Sequence, residues 1–296
     1  TLAVAAPLFL PVVRGIDVLY QWSQPGFFDP DNQDLAFKRL YFSPGFYEAR
    51  TAVYFLVWVL LAVMLYRWSV RQDCEGGSLE SVRRLRWWSG LGIPALFATV
   101  TSAGVDWVMS MDPYWYSTIF GVYIYSGGAL AFVAALTGLA LLLRRAGYLR
   151  EWIHLEHYHD LGKWMFALTA FWAYIAFSQY MLIWYANIPE ETLWYRERLQ
   201  GSWLWVSRLL AVGHFLVPFF VLMSRAAKRK LWILGVMSAW ILLMHWLDLH
   251  WLVMPTVHRH EFHLHWLDVA TWLAVGSTFA LAGWILMGRS ALVPVR

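Results

Sequence analysis

Seven long runs of apolar residues, separated by short polar stretches, divide most of the chain. Each run is close to the ~20 residues that a helix needs to cross ~30 Å of hydrocarbon. A helix satisfies its own backbone hydrogen bonds, whereas the strands of a membrane barrel are about ten residues long and alternate in polarity. The pattern predicts an all-α integral membrane protein, a polytopic helix bundle, with spans at 49–67, 91–109, 118–143, 164–185, 203–223, 231–253 and 266–287.

A further apolar run at positions 1–13 is too short to cross a bilayer. We expect it to belong to a first span whose upstream part is missing, because a signal peptide would show a basic start and a small-residue cleavage site. Residues 1–296 are predicted to form a single transmembrane helical domain. The polar stretch 14–48 is predicted to be a periplasmic segment.

Composition agrees with a membrane location, since 60% of the residues are hydrophobic and only 14% are charged. Of the 23 Lys and Arg residues, 15 lie on one set of alternate loops and 8 on the other. Short cytoplasmic loops retain basic residues, so the first set is predicted to face the cytoplasm, with the C-terminus inside. This clustering also accounts for the net charge of +4, and we therefore predict no nucleic-acid partner. Cys74 is the single cysteine, so any iron–sulfur cluster must sit on another protein.

Ionisable side chains within hydrocarbon normally face a cavity or another polar group, because leaving them unpaired there is costly. At ~1.5 Å rise per residue from the cytoplasmic ends of their spans, Asp106 lies roughly 22 Å in and His214 roughly 14 Å in. On the same basis His245 and Asp248 lie roughly 21 and 26 Å in, and Tyr180 lies at about 22 Å. The sequence therefore predicts a polar layer just outward of the midplane.

Two interpretations of these residues stay open. Thr99, Ser102 and Asp106 share one stripe of the second span, but Ser and Thr in membrane helices often bond only to their own backbone. His245 and Asp248 are i, i+3 neighbours, so the carboxylate can fix the imidazole tautomer, or the pair can be a structural link. The candidates for proton transfer are Asp106, His214, His245, Asp248, Ser102 and Tyr180.

Histidines also gather in two loops, where they could hold a metal but lack cysteine partners. We interpret them as surface histidines, namely His258, His260, His263 and His265 in an outer loop and His154, His157 and His159 in an inner one. Haem b needs two axial histidines at matched depth, and His214 and His245 differ by roughly 7 Å. We predict no metal site and no catalytic residue in this chain.

Long motifs resemble a known family. The run DLGKWMFALTAFWAYIAFSQYMLIWYANIPEETLWYRER at 160–198 resembles the signature region of a membrane subunit of bacterial alternative complex III, a quinol:electron acceptor oxidoreductase. The run DWVMSMDPYWYSTIFGVY at 106–123 and the stretch from His245 to Pro255 fit the same pattern. The resemblance covers nearly the whole chain and is closest to the F-type, quinone-binding-like subunit, which is related to polysulfide-reductase-like membrane anchors.

The resemblance implies ten helices that include two four-helix bundles, in the bacterial inner membrane. It also implies partners: a sister polysulfide-reductase-like membrane subunit, a periplasmic iron–sulfur protein and haem c subunits. This chain would carry no cofactor of its own, with menaquinone or ubiquinone as the quinone of the complex. We therefore expect it to support proton translocation and the docking of periplasmic redox subunits. The alternatives are a purely structural assembly subunit and a secondary transporter, although an internal repeat typical of transporters is not evident.

Overall fold

The computed structural model describes residues 2–28, 38–74, 79–259 and 261–288. These residues are mostly helical, and no strand occurs among them. Seven of the described helices are long and apolar enough, by length and composition, to cross a membrane. They are α1 (Pro44–Cys74), α2 (Leu79–Trp107), α3 (Phe120–Arg145), α4 (Leu155–Ala186), α5 (Trp203–Met223), α6 (Leu231–Val253) and α7 (Trp266–Met287). The predicted fold class and the seven spans are confirmed.

The helix ends show where the apolar pattern is a sufficient guide. The bounds of α5, α6 and α7 coincide with the apolar runs, whereas α1, α2 and α4 begin 5 to 12 residues earlier. The added turns at the starts of α2 and α4 contain several charged residues. A helix can continue past the hydrocarbon with such residues because their long side chains reach into water. Hydropathy alone therefore predicts these helices to be shorter than they are.

Contacts divide the described chain into two compact units. The first contains the described parts of Thr1–Pro113 and Leu264–Arg296. Within it α1 packs along α2, and the short helix Leu2–Leu8 contacts both α1 and α7. Helix α7 has no buried residue, so the rest of the described chain leaves most of its surface uncovered.

Part of the predicted periplasmic segment folds into a small aromatic core in this first unit. Tyr20, Trp22, Phe42 and Tyr47 are buried together, and the rings of Trp22 and Phe42 stack at 5.5 Å. The hydroxyl of Tyr20 donates to the carbonyl of Trp107 at 3.0 Å, which ties the segment to the end of α2. Burial raises the pKa of Tyr20 to about 12.

The second unit, Tyr114–His263, contains the helices α3 to α6. Helix α3 packs against α4 and α6, and the last part of α5 packs against α4. Leu130, Met165 and Ile241 are fully buried between these helices. Short connections join them in sequence, as in an antiparallel four-helix bundle. The single transmembrane domain over residues 1–296 and the side of the membrane that holds the C-terminus stay predictions.

Candidate functional site

The middle of α5 departs from regular α-helical geometry at His214. Residues Leu210–Leu216 form a π-helical stretch, in which the N–H of Val217 bonds to the carbonyl of Val212, five residues back. Pro218 follows directly, and its ring has no N–H and clashes with the carbonyl four residues earlier, that of His214. The local sequence thus widens the helix at this histidine, a distortion that is frequent at functional sites.

Helix α6 packs against this distorted stretch of α5. The indole N–H of Trp240 donates to the carbonyl of Gly213 at 2.7 Å, so this peptide group remains bonded. A Cβ on Gly213 would lie only 2.8 Å from the sulfur of Met244, so α5 and α6 approach closely at this glycine, and a larger residue would require the flexible Met244 side chain to move. The approach holds the His214 ring at 6.2 Å from the His245 ring.

Asp248, on α6, lies fully within the second unit and is 1% exposed. Its carboxylate accepts hydrogen bonds from the hydroxyl of Tyr123 on α3 at 2.5 Å and from the indole N–H of Trp172 on α4 at 3.2 Å. Both donors are neutral. Among the described residues, no Lys, Arg or His forms an ion pair with this carboxylate, which is unusual for a buried acid.

The two imidazoles pack against residues of α3 and α4. The ring of His214 is 4.0 Å from that of Trp172, and His245 packs against the backbone of Gly127 on α3. A Cβ on Gly127 would be 3.0 Å from Cε1 of His245. Both nitrogens of His214 and Nδ1 of His245 are buried, and no side chain or backbone group in the described part of the chain bonds to them. We call Tyr123, Trp172, His214, His245 and Asp248 the Asp248 cluster.

A cavity of about 570 Å³ opens beside this cluster. Its wall includes Tyr123 and Trp172 together with Tyr180, Tyr195 and several alanines. The Tyr180 and Tyr195 rings meet edge to face at 5.2 Å. Tyr195 belongs to the helix Pro189–Arg198 outside the spans, and burial raises its pKa well above the ordinary value. The cavity wall is mostly apolar and aromatic.

Arg198 supports the helix that carries Asp248, and the sequence pattern does not identify it. It is fully buried, and its guanidinium donates to the carbonyls of Trp194, Trp251 and Leu252 at 2.8 to 3.3 Å. Two of these carbonyls lie in the last turn of α6, where a cation is favourable. Arg198 therefore fixes the end of the helix that carries Asp248. The only sequence signal was an arginine four residues after a tryptophan, which is too common to be informative.

Asp106 belongs to the first unit and has a different environment. Its carboxylate accepts hydrogen bonds from Arg50 at 2.8 Å, from Tyr54 at 2.6 Å and from Tyr41 at 2.5 Å. The Arg50 guanidinium also lies 4.0 Å from the centre of the Tyr41 ring. Burial and the hydrogen bond to Asp106 raise the pKa of Tyr41, which lies outside the spans. Asp106 thus joins α2 to α1 through the ion pair with Arg50, and to the segment before α1 through the hydrogen bond from Tyr41.

The neighbouring hydroxyl groups on α2 fit the structural interpretation in part. Thr99 donates to the carbonyl of Ala95 at 2.7 Å and accepts the indole N–H of Trp58 at 2.8 Å. Ser102 lies beside the hydroxyl of Tyr54 and so extends the Asp106 network by one group.

The residues predicted to form one polar layer are divided between the two units. The structure brings His214 and His245 together, and it places Tyr180 on the cavity beside Asp248. Asp248 is bonded to Tyr123 and Trp172, and no ion pair joins it to His245. Asp106 lies in the other unit, so a common layer that includes it stays a prediction.

Two of the histidines predicted to lie in loops act at helix starts, and one of them, His157, lies within α4 itself. Nδ1 of His157 accepts the backbone N–H of His154 at the start of α4, and Nδ1 of His265 accepts that of Leu267 at the start of α7. Among the residues that the structure describes, no three His, Cys, Asp or Glu side chains form a group able to hold a metal ion. His260 lies outside those residues.

Comparison of the chain with models of known protein families gives no match. Comparison with curated proteins gives none either.

Proposed function

We propose that this chain is a membrane subunit of a quinol:electron acceptor oxidoreductase of the alternative complex III type, and that the Asp248 cluster transfers protons within it. The motifs at 106–123 and 160–198 support the family. Both motifs also supply residues of the cluster, since Tyr123 ends the first motif and Trp172 lies in the second. The residues that carry the resemblance thus meet at the buried carboxyl group.

The observation that carries the proton-transfer role is the set of partners around Asp248. A buried ion pair must be broken when its carboxylate takes up a proton, and that costs several kcal/mol. Asp248 has only the neutral donors Tyr123 and Trp172, so protonation breaks no ion pair there. Retention of such a group in a membrane bundle favours a functional role over packing.

The two imidazoles extend the cluster in a way that suits proton movement. An imidazole can accept a proton at one nitrogen and release one from the other. Three imidazole nitrogens of His214 and His245 are buried and have no hydrogen-bond partner among the described residues, although buried polar groups are normally bonded. These nitrogens are available for exchange, whereas a structural pair would be expected to use them.

On this proposal the redox centres lie on partner proteins. A periplasmic iron–sulfur protein and haem c subunits carry the electrons, and the sister membrane subunit carries the main quinol site, with menaquinone or ubiquinone as substrate. The chain lies in the bacterial inner membrane with its C-terminus in the cytoplasm, as the distribution of Lys and Arg predicts. Its large uncovered apolar surface, including all of α7, provides area for membrane partners.

The test is proton uptake coupled to quinol oxidation by the purified complex in vesicles. We expect Asp248→Asn to reduce coupled proton movement by at least about tenfold, since the amide keeps the size of the side chain but cannot exchange a proton at neutral pH. The variant Glu190→Gln removes an exposed carboxylate of the same chain and should leave coupling unchanged. Subunit content and haem spectra establish that each variant assembles.

Full coupling in an assembled Asp248→Asn complex would refute the proton-transfer role and leave a structural assembly subunit. Loss of coupling in His214→Gln and His245→Gln as well would extend the path to the imidazoles. Solute transport by vesicles that contain this chain alone would favour a secondary transporter.

A second candidate function is quinol binding in the cavity beside Asp248. The volume of about 570 Å³ lies within the range of ligand sites, and the wall is mostly apolar and aromatic, with Tyr123 and Tyr195 among its residues. The variant Ala173→Phe would fill this cavity. A higher KM for quinol in that variant, with proton coupling retained, would support a quinol site here.

A further inference from the structure

An apolar groove runs between α3 and α6 on the outside of the second unit. Its volume is about 780 Å³, and its floor includes Gly138, Leu142, Gly235 and Ala239. The two glycines face the opposite helix, since a Cβ on Gly235 would lie 3.6 Å from Leu141 and one on Gly138 would lie 3.9 Å from Ser238. Small residues on both helices therefore shape a shallow channel that apolar chains can enter.

One end of this groove is strongly basic. Arg144, Arg145 and Arg150 line it, and the described part of the chain contains no acidic side chain that forms an ion pair with any of them. Nη1 of Arg144 donates to the carbonyl of Ile153 at 2.8 Å, and Nε of Arg150 donates to the carbonyl of Arg144 at 3.3 Å. These bonds hold two of the guanidinium groups in place while their positive charge stays uncompensated.

The start of α6 lies at the same end of the groove. Leu231 and Trp232 line it there, and the first-turn amides of this 23-residue helix add partial positive charge. Trp232 is 69% exposed. Tryptophan in this position is typical of the level of lipid headgroups. The basic end of the groove thus lies at the level of the lipid headgroups. The apolar floor lies at the level of the acyl chains.

We propose that this groove is a binding site for an anionic diacyl phospholipid. Its phosphate lies against Arg145 and Arg150, and its acyl chains lie along Leu142 and Ala239. The positive charge of the arginines favours an anionic headgroup. Bilayers supply phosphate groups, and basic pockets between membrane helices bind anionic lipids. The three arginines belong to the set of loops predicted to face the cytoplasm, so the lipid would come from the inner leaflet.

The test is native mass spectrometry of the purified full-length protein, with any accompanying subunits, after delipidation and titration with phosphatidylglycerol. The double variant Arg145→Gln/Arg150→Gln should bind about thirty-fold more weakly, which is about 2 kcal/mol at ~1.4 kcal/mol per tenfold and ~1 kcal/mol per basic residue. Its matched control is Arg83→Gln/Arg86→Gln, which removes two exposed arginines near the start of α2 and should bind as the unmodified protein does.

The acyl-chain contact has its own variant. Ala239→Phe places a ring in the groove and should lower lipid occupancy without a change of charge, whereas Ala280→Phe on the uncovered surface of α7 should not.

Two competitors distinguish the lipid from other ligands. Phosphatidylcholine with the same acyl chains should bind at least about tenfold more weakly, and inorganic phosphate should not compete at millimolar concentration. Equal binding of phosphatidylcholine, or unchanged occupancy in both the arginine pair and Ala239→Phe, would overturn the proposal. Competition by phosphate alone would also overturn it, in favour of an anion site without acyl-chain recognition.

Discussion

Replacement of Asp106 by asparagine tests how the first unit is held together. The Asp106 carboxylate is fully covered, and three side chains donate to it: Arg50, Tyr41 and Tyr54. Asparagine keeps the shape of the side chain, but it removes the negative charge and leaves the Arg50 guanidinium without its partner. Arg50 itself is only 15% exposed, so water compensates it poorly.

The expected cost follows from these contacts. Breaking a buried ion pair by removing one partner costs about 3–5 kcal/mol, and partial exposure of Arg50 places the value near the lower end. Hydrogen bonds from the two tyrosines also change from charge-assisted bonds worth about 1.5–3 kcal/mol to neutral bonds worth about 0.5–1.5 kcal/mol. We therefore expect Asp106→Asn to lower the free energy of unfolding by about 3–5 kcal/mol.

The assay is a double-mutant cycle on the protein in detergent micelles. Asp106→Asn, Arg50→Met and the double variant are unfolded reversibly with a denaturing detergent, and the change is followed by tryptophan fluorescence. The double variant removes both charges, so it should be less destabilised than the sum of the single variants by about 2 kcal/mol. A coupling below about 0.5 kcal/mol, or a loss below about 1 kcal/mol for Asp106→Asn, would refute the anchoring role of this ion pair.

Three further predictions follow from the structure. Gly127→Ala should lower stability by about 1–3 kcal/mol and impair proton coupling, because its Cβ would lie 3.0 Å from the His245 imidazole. Gly128→Ala, which has open space around it, is the control and should leave the thermal unfolding temperature unchanged. Arg198→Met should cost about 3 kcal/mol in the same assay because it leaves buried carbonyls without a donor, and the exposed Arg196→Met serves as control. Tyr20 has a folded pKa of about 12 against 10.0 for the free side chain, so its contribution to stability should be lost as pH rises from 10.0 to about 12. A titration by phenolate absorbance in which Tyr20→Phe removes no late-titrating group would contradict this assignment.

The spans could be predicted because lipid imposes one rule on every residue within them. A run of about 20 apolar residues has only the helix available to it, and no tertiary information is needed to infer that. The sequence does not predict where α2 and α4 begin, because outside the hydrocarbon a charged stretch is compatible with either a helix or a loop. The contacts of Trp172 and Arg198 were not predictable either, since they depend on which helices become neighbours.

The candidate residues show the same division. Depth along a span identified His214, His245 and Asp248 as buried, because a fixed rise per residue converts sequence position to distance. Depth contains no information on rotation about the helix axis or on the partner helix. The sequence therefore suggests His245, on the same helix, as the partner of Asp248. In the structure the hydrogen-bond donors to Asp248 come from α3 and α4.

The contrast between the two buried aspartates explains why we assign them different roles. Asp106 and Asp248 are equally covered, and each accepts a hydrogen bond from at least one tyrosine. Only Asp106 has a cation as a partner, so a proton bound there would replace the attraction to Arg50 and release the segment that Tyr41 holds. At Asp248 a proton would leave the neighbouring side chains neutral and in place, while nearby imidazole nitrogens stand unbonded. Proton exchange is therefore compatible with an intact fold at Asp248, whereas at Asp106 it would disrupt the contacts that stabilise the unit.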